Sequence, residues 1–366
     1  MSIGDSLSEL LNEKALQLVE LDGKSITQLL GVYCNNSIVS LSIIPYIALY
    51  CRSAQDFLGE KIMNDEVDEK ISDIRNGLKL YSGRYSKGVR EVLRSDKHQD
   101  EIFRNRLRFS FMKNWNIHYN LGVFFDERNC IIGNSQHLNY SNVPTVNLTI
   151  QQEIAFEMGE MLAENLANTL TAVSNMDIIQ LWEKKGNVSV RLGYQDINTN
   201  RRNSFFAKTN KKEVNLLILH ILSTINCVEH LFSKGVSCDD QWFMRIEYIV
   251  AHYAWQGLRK IKQHFDSSNS NLFSDDVSIL LENGKKLFPS NFRNCMMHYD
   301  LCYDGVPAIS KEYYNEKLKF FGLVESCFDG KSSSCFFDEL RLYIQELETY
   351  LMSWFHVDPQ KIKWDL

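Results

Sequence analysis

The chain has 366 residues, of which 44% are hydrophobic and 23% charged, with a formal net charge of −6 at pH 7. This composition is typical of a soluble globular protein, and the negative charge excludes a generic basic nucleic-acid coat while permitting a local basic cleft. Nine cysteines without paired short spacings fit a reducing cytoplasm better than a disulfide framework. The acidic N-terminus predicts no signal peptide, and the most apolar stretch, 38–51, is too short for a membrane span, so we expect a cytoplasmic protein.

The first 122 residues read mainly as helices. Apolar residues spaced by three and four predict a helix over 6–20, and residues 36–60 predict a buried helix bent at Pro45. More charged surface helices or loops are expected over 65–79 and 87–94. A further helical segment is then expected from Ile102 to Leu121.

Strand patterns appear in the middle of the chain. Residues 123–133 predict two short strands around a polar turn, and a long helix follows over 150–182. Strict alternation over 187–194, with a return over 203–207, predicts a second hairpin. The tip of this hairpin carries Arg201 and Arg202 in a basic segment suited to holding a nucleic-acid backbone. The alternative reading of that segment is a solvated linker.

The C-terminal half predicts a clearer helical bundle. Its amphipathic stretches are 213–232, 240–265, 275–287, 311–327 and 337–355, with a short helix after Pro289. Long antiparallel helices joined by short loops form bundles. The predicted fold class is therefore mainly all-α, built of antiparallel helical bundles with one or two small β-hairpin insertions.

The short helix after Pro289 carries the most informative polar group, Arg293-Asn294-x3-His298. Asn294 and His298 are four apart and share a helix face, whereas Arg293 lies about 140° round the axis from His298. An arginine can hold a phosphate bidentately, and a histidine can move a proton near neutral pH. The group therefore suits chemistry at a phosphodiester.

A similar group of polar residues lies 180 residues earlier in the chain. Residues 107–122 align without gaps on 287–302, with six of sixteen positions identical. Lys113, Asn114 and His118 fall opposite Arg293, Asn294 and His298. Tyr119 and Tyr299 follow the two histidines. A repeat that keeps its polar positions resembles a duplicated site.

The Arg-Asn-x3-His pattern resembles the Arg-x4-6-His motif of HEPN domains, which are helical bundles found in prokaryotic toxin and anti-phage ribonucleases. The resemblance implies a HEPN-like helical domain with a degenerate motif over 1–150. It also implies a bridging helix and basic hairpin over 151–212, and a second HEPN-like bundle with the main motif over 213–366.

The resemblance implies a metal-independent and cofactor-independent endoribonuclease. Attack by the ribose 2′-OH on the adjacent phosphorus would leave a 2′,3′-cyclic phosphate and a 5′-OH. The catalytic candidates are Arg293, Asn294 and His298, with Lys113, Asn114 and His118 as a weaker copy, because lysine lacks the bidentate fork of arginine. The RNA-contacting candidates are Tyr299, Tyr119, Arg201 and Arg202. The expected partners are an RNA such as tRNA or mRNA, a second copy or a pseudo-dimer within the chain, and an antitoxin or defence protein.

Two alternatives remain open at this stage. Cys295, His298 and Cys302 share a helical stripe and could ligate zinc together with Cys327 or Cys335, although no short Cys-x2-Cys pair supports this. A HEPN-like bundle could also bind a protein partner or a nucleotide without cleaving RNA, because fold similarity permits either function.

Overall fold

The computed structural model describes residues 3–33, 37–59, 65–79, 83–105, 118–142, 152–173, 188–268, 272–303 and 306–364. Within these ranges α-helices dominate, and the largest sheet has three strands. The prediction of a mainly all-α fold with small β elements is confirmed.

The described residues of the first half of the chain include six helices. They are α1 (Ile3–Tyr33), α2 (Ser37–Leu58), α3 (Asp65–Leu78), α4 (Tyr85–Asn105), α5 (Ser135–Asn142) and α6 (Gln152–Val173). Helix α2 packs against α1, α3 and α6 and carries Pro45 in its interior, where a bend was expected. The predicted helix over 102–121 is observed from Ile102 to Asn105, and residues 106–117 lie outside the described part. The prediction is wrong for residues 118–121, because His118 is not in a helix and Leu121 begins a β-strand.

A small antiparallel sheet follows. Strands β1 (Leu121–Phe125) and β2 (Ile131–Asn134) form the first predicted hairpin. Strand β3 (Gly193–Ile197) pairs with the other edge of β1, giving the order β2-β1-β3. The second predicted hairpin is therefore wrong, since Phe206 forms an isolated bridge with Phe355 instead of pairing with β3. Alternation fixes which face of a strand is buried, but it does not fix the partner strand.

Six further helices lie in the described part of the second half. They are α7 (Lys212–Asn226), α8 (Gln241–Ser267), α9 (Asp275–Lys285), α10 (Ser290–His298), α11 (Leu323–Cys327) and α12 (Ser333–Met352). Helix α7 continues through a π-helical turn, Cys227–Leu231, into a 3-10 turn, Phe232–Lys234. Two short strands, β4 (Cys302–Tyr303) and β5 (Val306–Pro307), pair after α10.

The helix expected over 311–327 is observed only from Lys319 onward. A 3-10 turn, Lys319–Gly322, precedes α11. Phe320, Phe321 and Gly322 have positive φ values, which a continuous right-handed helix does not allow. The apolar spacing in this segment instead serves a compact turn whose Phe320 is fully buried.

Both halves of the chain contribute to one hydrophobic core. Helix α1 packs against α8, α4 packs against α7 and α8, and α2 packs against α10. The buried apolar residues run from Leu11 to Ile362 in a single cluster. The predicted division of the chain near residues 150 and 212 stays a prediction.

Helix α7 and its extension, Lys212–Lys234, form the one helix among the described residues that is long and apolar enough to cross a membrane by length and composition. An 18-residue window of this stretch has a mean hydropathy of 1.5, and 83% of that window is buried inside the protein, as is usual for a core helix.

Candidate functional site

The polar motif lies on α10, as the sequence predicted. Pro289 precedes the helix in an extended conformation, and Tyr299 ends it with a left-handed φ of 58°. The apolar residues of the helix, including Cys295, pack into the core, while Arg293, Asn294 and His298 are half-buried at its margin. The helix therefore presents all three motif side chains at the edge of the core.

A buried network holds the C-terminal end of α10. Arg245 on α8 donates from Nη1 to the carbonyl oxygens of Met296 (2.8 Å) and Cys295 (3.2 Å). Its Nε donates to Oδ2 of Asp22 on α1 at 2.7 Å, and the Tyr299 hydroxyl donates to the same oxygen at 2.6 Å. Because the last carbonyls of a helix lack helical partners, Arg245 fixes the turn that carries His298.

This network also corrects one predicted contact with RNA. Tyr299 is 2% exposed, and the Arg245 guanidinium lies 4.3 Å from the centre of its ring. Burial raises the pKa of Asp22 to about 6, although the charge of Arg245 and the Tyr299 hydroxyl oppose that rise. Tyr299 is therefore a core residue that anchors α10 and does not lie on a surface that RNA can reach.

The motif arginine is held in place by its neighbour. Nε and Nη2 of Arg293 both donate to Oδ1 of Asn294, at 3.1 Å and 2.5 Å. Two hydrogen bonds that converge on one oxygen restrict the position of the guanidinium. The observed role of Asn294 is thus to orient Arg293.

Further positive charges act on the imidazole of His298. Burial lowers the pKa of His298 below its ordinary value, and the positive charges of Arg75 and Lys79 lower that pKa further. Arg293 acts on the His298 pKa in the same direction with a smaller effect. Burial, followed by the charges of Arg75 and Arg293, also lowers the pKa of Lys79, to about 8. We call Arg75, Lys79, Arg293 and His298 the His298 site.

Arg75 and Lys79 were not predicted from the sequence. Arg75 lies in the last turn of α3, and Lys79 is the first residue after that helix. Nothing in the sequence indicated which element these two residues approach. In the fold, α2 packs against both α3 and α10.

The opposing charge at the His298 site is small. Of the described groups that shift the His298 pKa, Asp56 on α2 is the acid, and its charge raises that pKa. Asp56 is itself paired with Arg52, whose Nη2 lies 2.7 Å from Oδ1. The site therefore has an excess of positive charge around a half-buried imidazole, as a site for an anion requires.

The earlier copy of the motif has different surroundings. His118 is 8% exposed, and its Nε2 lies 2.8 Å from Oδ1 of Asp100 on α4. Arg104 and Asn200 also contact the Asp100 carboxylate. Lys113 and Asn114 lie outside the described residues, so their part in the copy stays a prediction.

The two histidines do not have equivalent environments. His118 is buried beside an acid, whereas positive charges act on His298. The Asp100 carboxylate that contacts His118 is not among the charged groups that shift the pKa of His298. Tyr119, next to His118, is 59% exposed, so its side chain is accessible to a partner.

The remaining predicted contacts with RNA lie elsewhere on the surface. Arg201 and Arg202 are exposed in the turn after β3 and line a cleft of about 210 Å³ together with Lys212. This cleft and the His298 site have no lining residue in common.

Potential metal ligands converge at one place in the described part of the chain. The ligand atoms of Cys130, His230 and Glu348 lie within 4.8 Å of one another. His230 contacts Glu348 through Nε2 at 2.7 Å, and Nδ1 lies 2.6 Å from the guanidinium of Arg128. Protein groups thus already engage both ring nitrogens, and we assign no metal there. The zinc set considered from the sequence, Cys295, His298 and Cys302, does not converge in this way.

No protein-family model, no curated protein sequence and no solved structure matches the chain. A function has therefore to be inferred from the chain's own residues.

Proposed function

We propose that this protein is a metal-independent endoribonuclease that cleaves RNA at the His298 site. The observation that carries the proposal is a half-buried histidine on the motif helix whose pKa is lowered by burial and by the charges of Arg75, Lys79 and Arg293. Perturbed titratable groups beside specific charges are concentrated at functional sites. The HEPN-like motif on α10 supplies the reaction class.

The lowered pKa suits His298 to the first proton transfer. A neutral imidazole at pH 7 accepts the proton of the ribose 2′-OH as the oxygen attacks the adjacent phosphorus. The P–O5′ bond then breaks, and the 5′-oxygen takes up a proton from the imidazolium or from water. The products are a 2′,3′-cyclic phosphate and a 5′-OH, so atoms and charge balance without an added reactant.

The cations of the His298 site stabilise negative charge on the phosphoryl group. Negative charge on the phosphoryl oxygens increases as the pentacoordinate species forms, and Arg293, held by Asn294, provides a fixed donor for it. Arg75 in α3 and Lys79 just after that helix add further positive charge. Like charges gathered at a partly buried site repel one another on the order of 1 kcal/mol or more per pair, so a bound phosphate relieves their repulsion.

The biological role that we propose follows the motif resemblance. A HEPN-like ribonuclease acts as a toxin or in anti-phage defence in the cytoplasm. Its expected partners are an RNA substrate, a second copy of the chain and an antitoxin or defence-system protein. The burial of His118 favours a second copy as the source of a facing half-site, because a buried histidine paired with Asp100 is poorly placed to meet RNA.

The test is cleavage of total RNA and tRNA by the full chain in EDTA, with mapping of the product ends. We expect cyclic phosphate ends from the wild type and at least a hundredfold slower cleavage by His298→Ala, because a general base typically contributes about 10²–10⁴-fold. The matched control is His356→Ala, an exposed histidine outside the site, which should cleave at the wild-type rate. Equal cleavage by His298→Ala and His356→Ala would overturn the proposal.

A second candidate function is a non-catalytic module that binds a protein partner or a nucleotide. The contact of buried His118 with Asp100 favours this second function, because the chain presents one complete motif instead of two when His118 is held there. Tight RNA or nucleotide binding without cleavage, weakened by Arg75→Gln and unaffected by His356→Ala, would select this reading.

A further inference from the structure

Two stacked rings lie on the surface where the C-terminal end of α8 meets the start of α4. The ring centres of His264 and Tyr85 are 4.1 Å apart, with 23° between the ring planes. Phe265 packs edge to face against both rings, and the Nζ of Lys211 lies 4.4 Å from the centre of the Phe265 ring. His264 is exposed and Tyr85 is half-buried. Three separate parts of the chain therefore meet at this place.

Cations without ion pairs border the stacked rings. Three are exposed and the fourth is half-buried, and none of them is paired with another described residue: Arg84, Lys87, Lys211 and Lys260. We call Tyr85, His264 and these four cations the Tyr85 surface. Nearby acids offset the charge only in part. Asp266 is paired with Lys262 at 2.5 Å, while burial raises the pKa of Tyr85 to about 12 and the charge of Glu213 adds to that rise. The surface thus has an excess of positive charge in a chain whose net charge is −6.

A stripe on α8 connects the Tyr85 surface with the His298 site. Tyr253, Lys260 and His264 occupy positions i, i+7 and i+11, which lie on one face of a helix. Burial raises the pKa of Tyr253 to about 12, and the charges of Arg75 and Arg293 oppose that rise, so α8 passes within electrostatic range of the His298 site at Tyr253. From there to His264 the helix rises by about 16 Å, at 1.5 Å per residue. Positive charge is therefore available at both ends of this stretch of α8.

The chemistry of the Tyr85 surface fits a single-stranded nucleic acid. Lysine and arginine side chains neutralise the phosphates of such a strand, and its bases stack on aromatic rings. Tyr85 covers one face of the His264 imidazole, and a base can stack on the other face. A membrane is the alternative anionic partner, but elements that bind one insert large apolar side chains. The large exposed apolar side chains of the described residues lie outside the Tyr85 surface.

We propose that the Tyr85 surface holds the single strand of RNA that flanks the phosphodiester at the His298 site. Phosphates of this flanking strand meet Lys87, Lys211 and Lys260, and one base stacks on His264. The surface therefore adds affinity only for an RNA long enough to follow α8 beyond the scissile bond. This inference rests on the proposed function, because it takes the bound strand to be continuous with the RNA that is cleaved.

The first experiment measures binding without cleavage, in the full chain carrying His298→Ala and in EDTA. Fluorescence anisotropy follows a labelled oligoribonucleotide of about twelve nucleotides, within the usual range of single-strand site sizes. Phosphatidylserine vesicles are tested separately for binding. The test variant adds three substitutions on the surface, Lys87→Gln, Lys211→Gln and Lys260→Gln.

The matched control removes the same charge elsewhere. It adds substitutions at three exposed lysines outside the Tyr85 surface, Lys286→Gln, Lys311→Gln and Lys317→Gln. A further single variant, His264→Ala, removes only the exposed ring. Thermal unfolding of each variant reports whether the fold is intact, and if the triple test variant melts early, the single variant His264→Ala decides.

We expect the test variant to bind the oligoribonucleotide about tenfold or more weakly than the control. Its slope of log affinity against log salt should be smaller by about two, because each neutralised phosphate of a single strand contributes about 0.7. The loss of one stacked base in His264→Ala should weaken binding by about fivefold or more. Equal RNA affinity in the test and control variants overturns the proposal. Vesicle binding that the test variant loses, without a loss of RNA binding, assigns the surface to a membrane and also overturns it.

Cleavage separates this proposal from the proposed function. With His298 intact, the wild type and the test variant should cleave a dinucleotide at the same rate. The KM of the test variant for the longer oligoribonucleotide should rise about tenfold at unchanged kcat. A wild type that cleaves, together with an unchanged KM in the test variant, refutes the Tyr85 surface alone. A wild type that binds RNA through this surface but does not cut it refutes the ribonuclease alone.

Discussion

Replacing Arg245 by alanine tests how α10 is held. The substitution removes the donor to two carbonyl oxygens of α10 and leaves the Asp22 carboxylate buried without its cation. Breaking a buried ion pair by deleting one partner costs about 3–5 kcal/mol. We therefore expect the free energy of unfolding to fall by about 4 kcal/mol, a large part of the total of roughly 5–15 kcal/mol typical of a domain.

The assay is urea unfolding at pH 7 of Arg245→Ala, Asp22→Ala and the double variant. The double variant leaves no unpaired charge, so its loss should be smaller than the sum of the single losses by about 2 kcal/mol or more. The matched control is Arg259→Ala on the same helix, whose guanidinium stacks on Trp255 at 4.5 Å and which should cost about 1 kcal/mol. Losses that add within about 0.5 kcal/mol would refute the coupling on which the reasoning rests.

Three further predictions concern pH and backbone conformation. Burial lowers the pKa of His137 to about 4, so its neutral form stabilises the fold above pH 6.5 and this contribution is lost as pH falls toward 4. The contribution of His137 to the free energy of unfolding should therefore fall by about 1.4 kcal/mol per pH unit as the pH falls from 6.5 toward 4. A free energy of unfolding that stays constant from pH 7 to pH 5 would contradict this prediction. Arg75→Gln removes a positive charge that lowers the pKa of His298. The acid limb of the pH–rate profile for RNA cleavage should therefore move to higher pH, and an unmoved limb would exclude this effect of Arg75 on His298. Gly322 has a φ of +93°, and an added Cβ would overlap the backbone of Tyr313, so Gly322→Ala should lower thermal stability by about 3 kcal/mol. Gly31→Ala, with open space in α1, should be neutral or stabilising, and similar melting temperatures for the two variants would show the reasoning to be wrong.

Helical periodicity was the most dependable guide to the fold. The helix predicted over 240–265 is observed as Gln241–Ser267, and Pro289 precedes α10 where a break was expected. The alternation predicted a strand over 187–194, whereas β3 is Gly193–Ile197 and overlaps that range only at its end. Its partner was also not predicted, because pairing depends on which sheet edge tertiary packing leaves open. The segment before α11 was mistaken for helix because its apolar spacing does not reveal a run of positive φ values.

The candidate site was predictable only along its own helix. Spacing placed Arg293, Asn294 and His298 at the margin of α10, where the structure also has them. Arg75 and Lys79 lie more than 200 residues earlier, and no local pattern connects them to a histidine on another element. Such groups become visible only when the tertiary arrangement of α2, α3 and α10 is known.

Tyr299 shows the converse error. Its residue type is common in RNA sites, yet the structure uses it, together with Arg245, to satisfy the buried Asp22 carboxylate. Sequence gives the residue type, but it does not say whether a cation or phenol faces solvent or the core.

The Asp22–Arg245–Tyr299 network also sets an order of events during synthesis of the chain. Its first and last members are separated by 277 residues, so the contact cannot form until most of the chain has left the ribosome. Contacts of such long sequence separation form late in folding, because a large loop must close before they contribute. Until then the turn that carries His298 lacks its anchor. A nascent chain should therefore be inert toward the ribosome-bound RNAs around it, and a proteolytic nick that releases α1 from a finished molecule should inactivate it without touching α10.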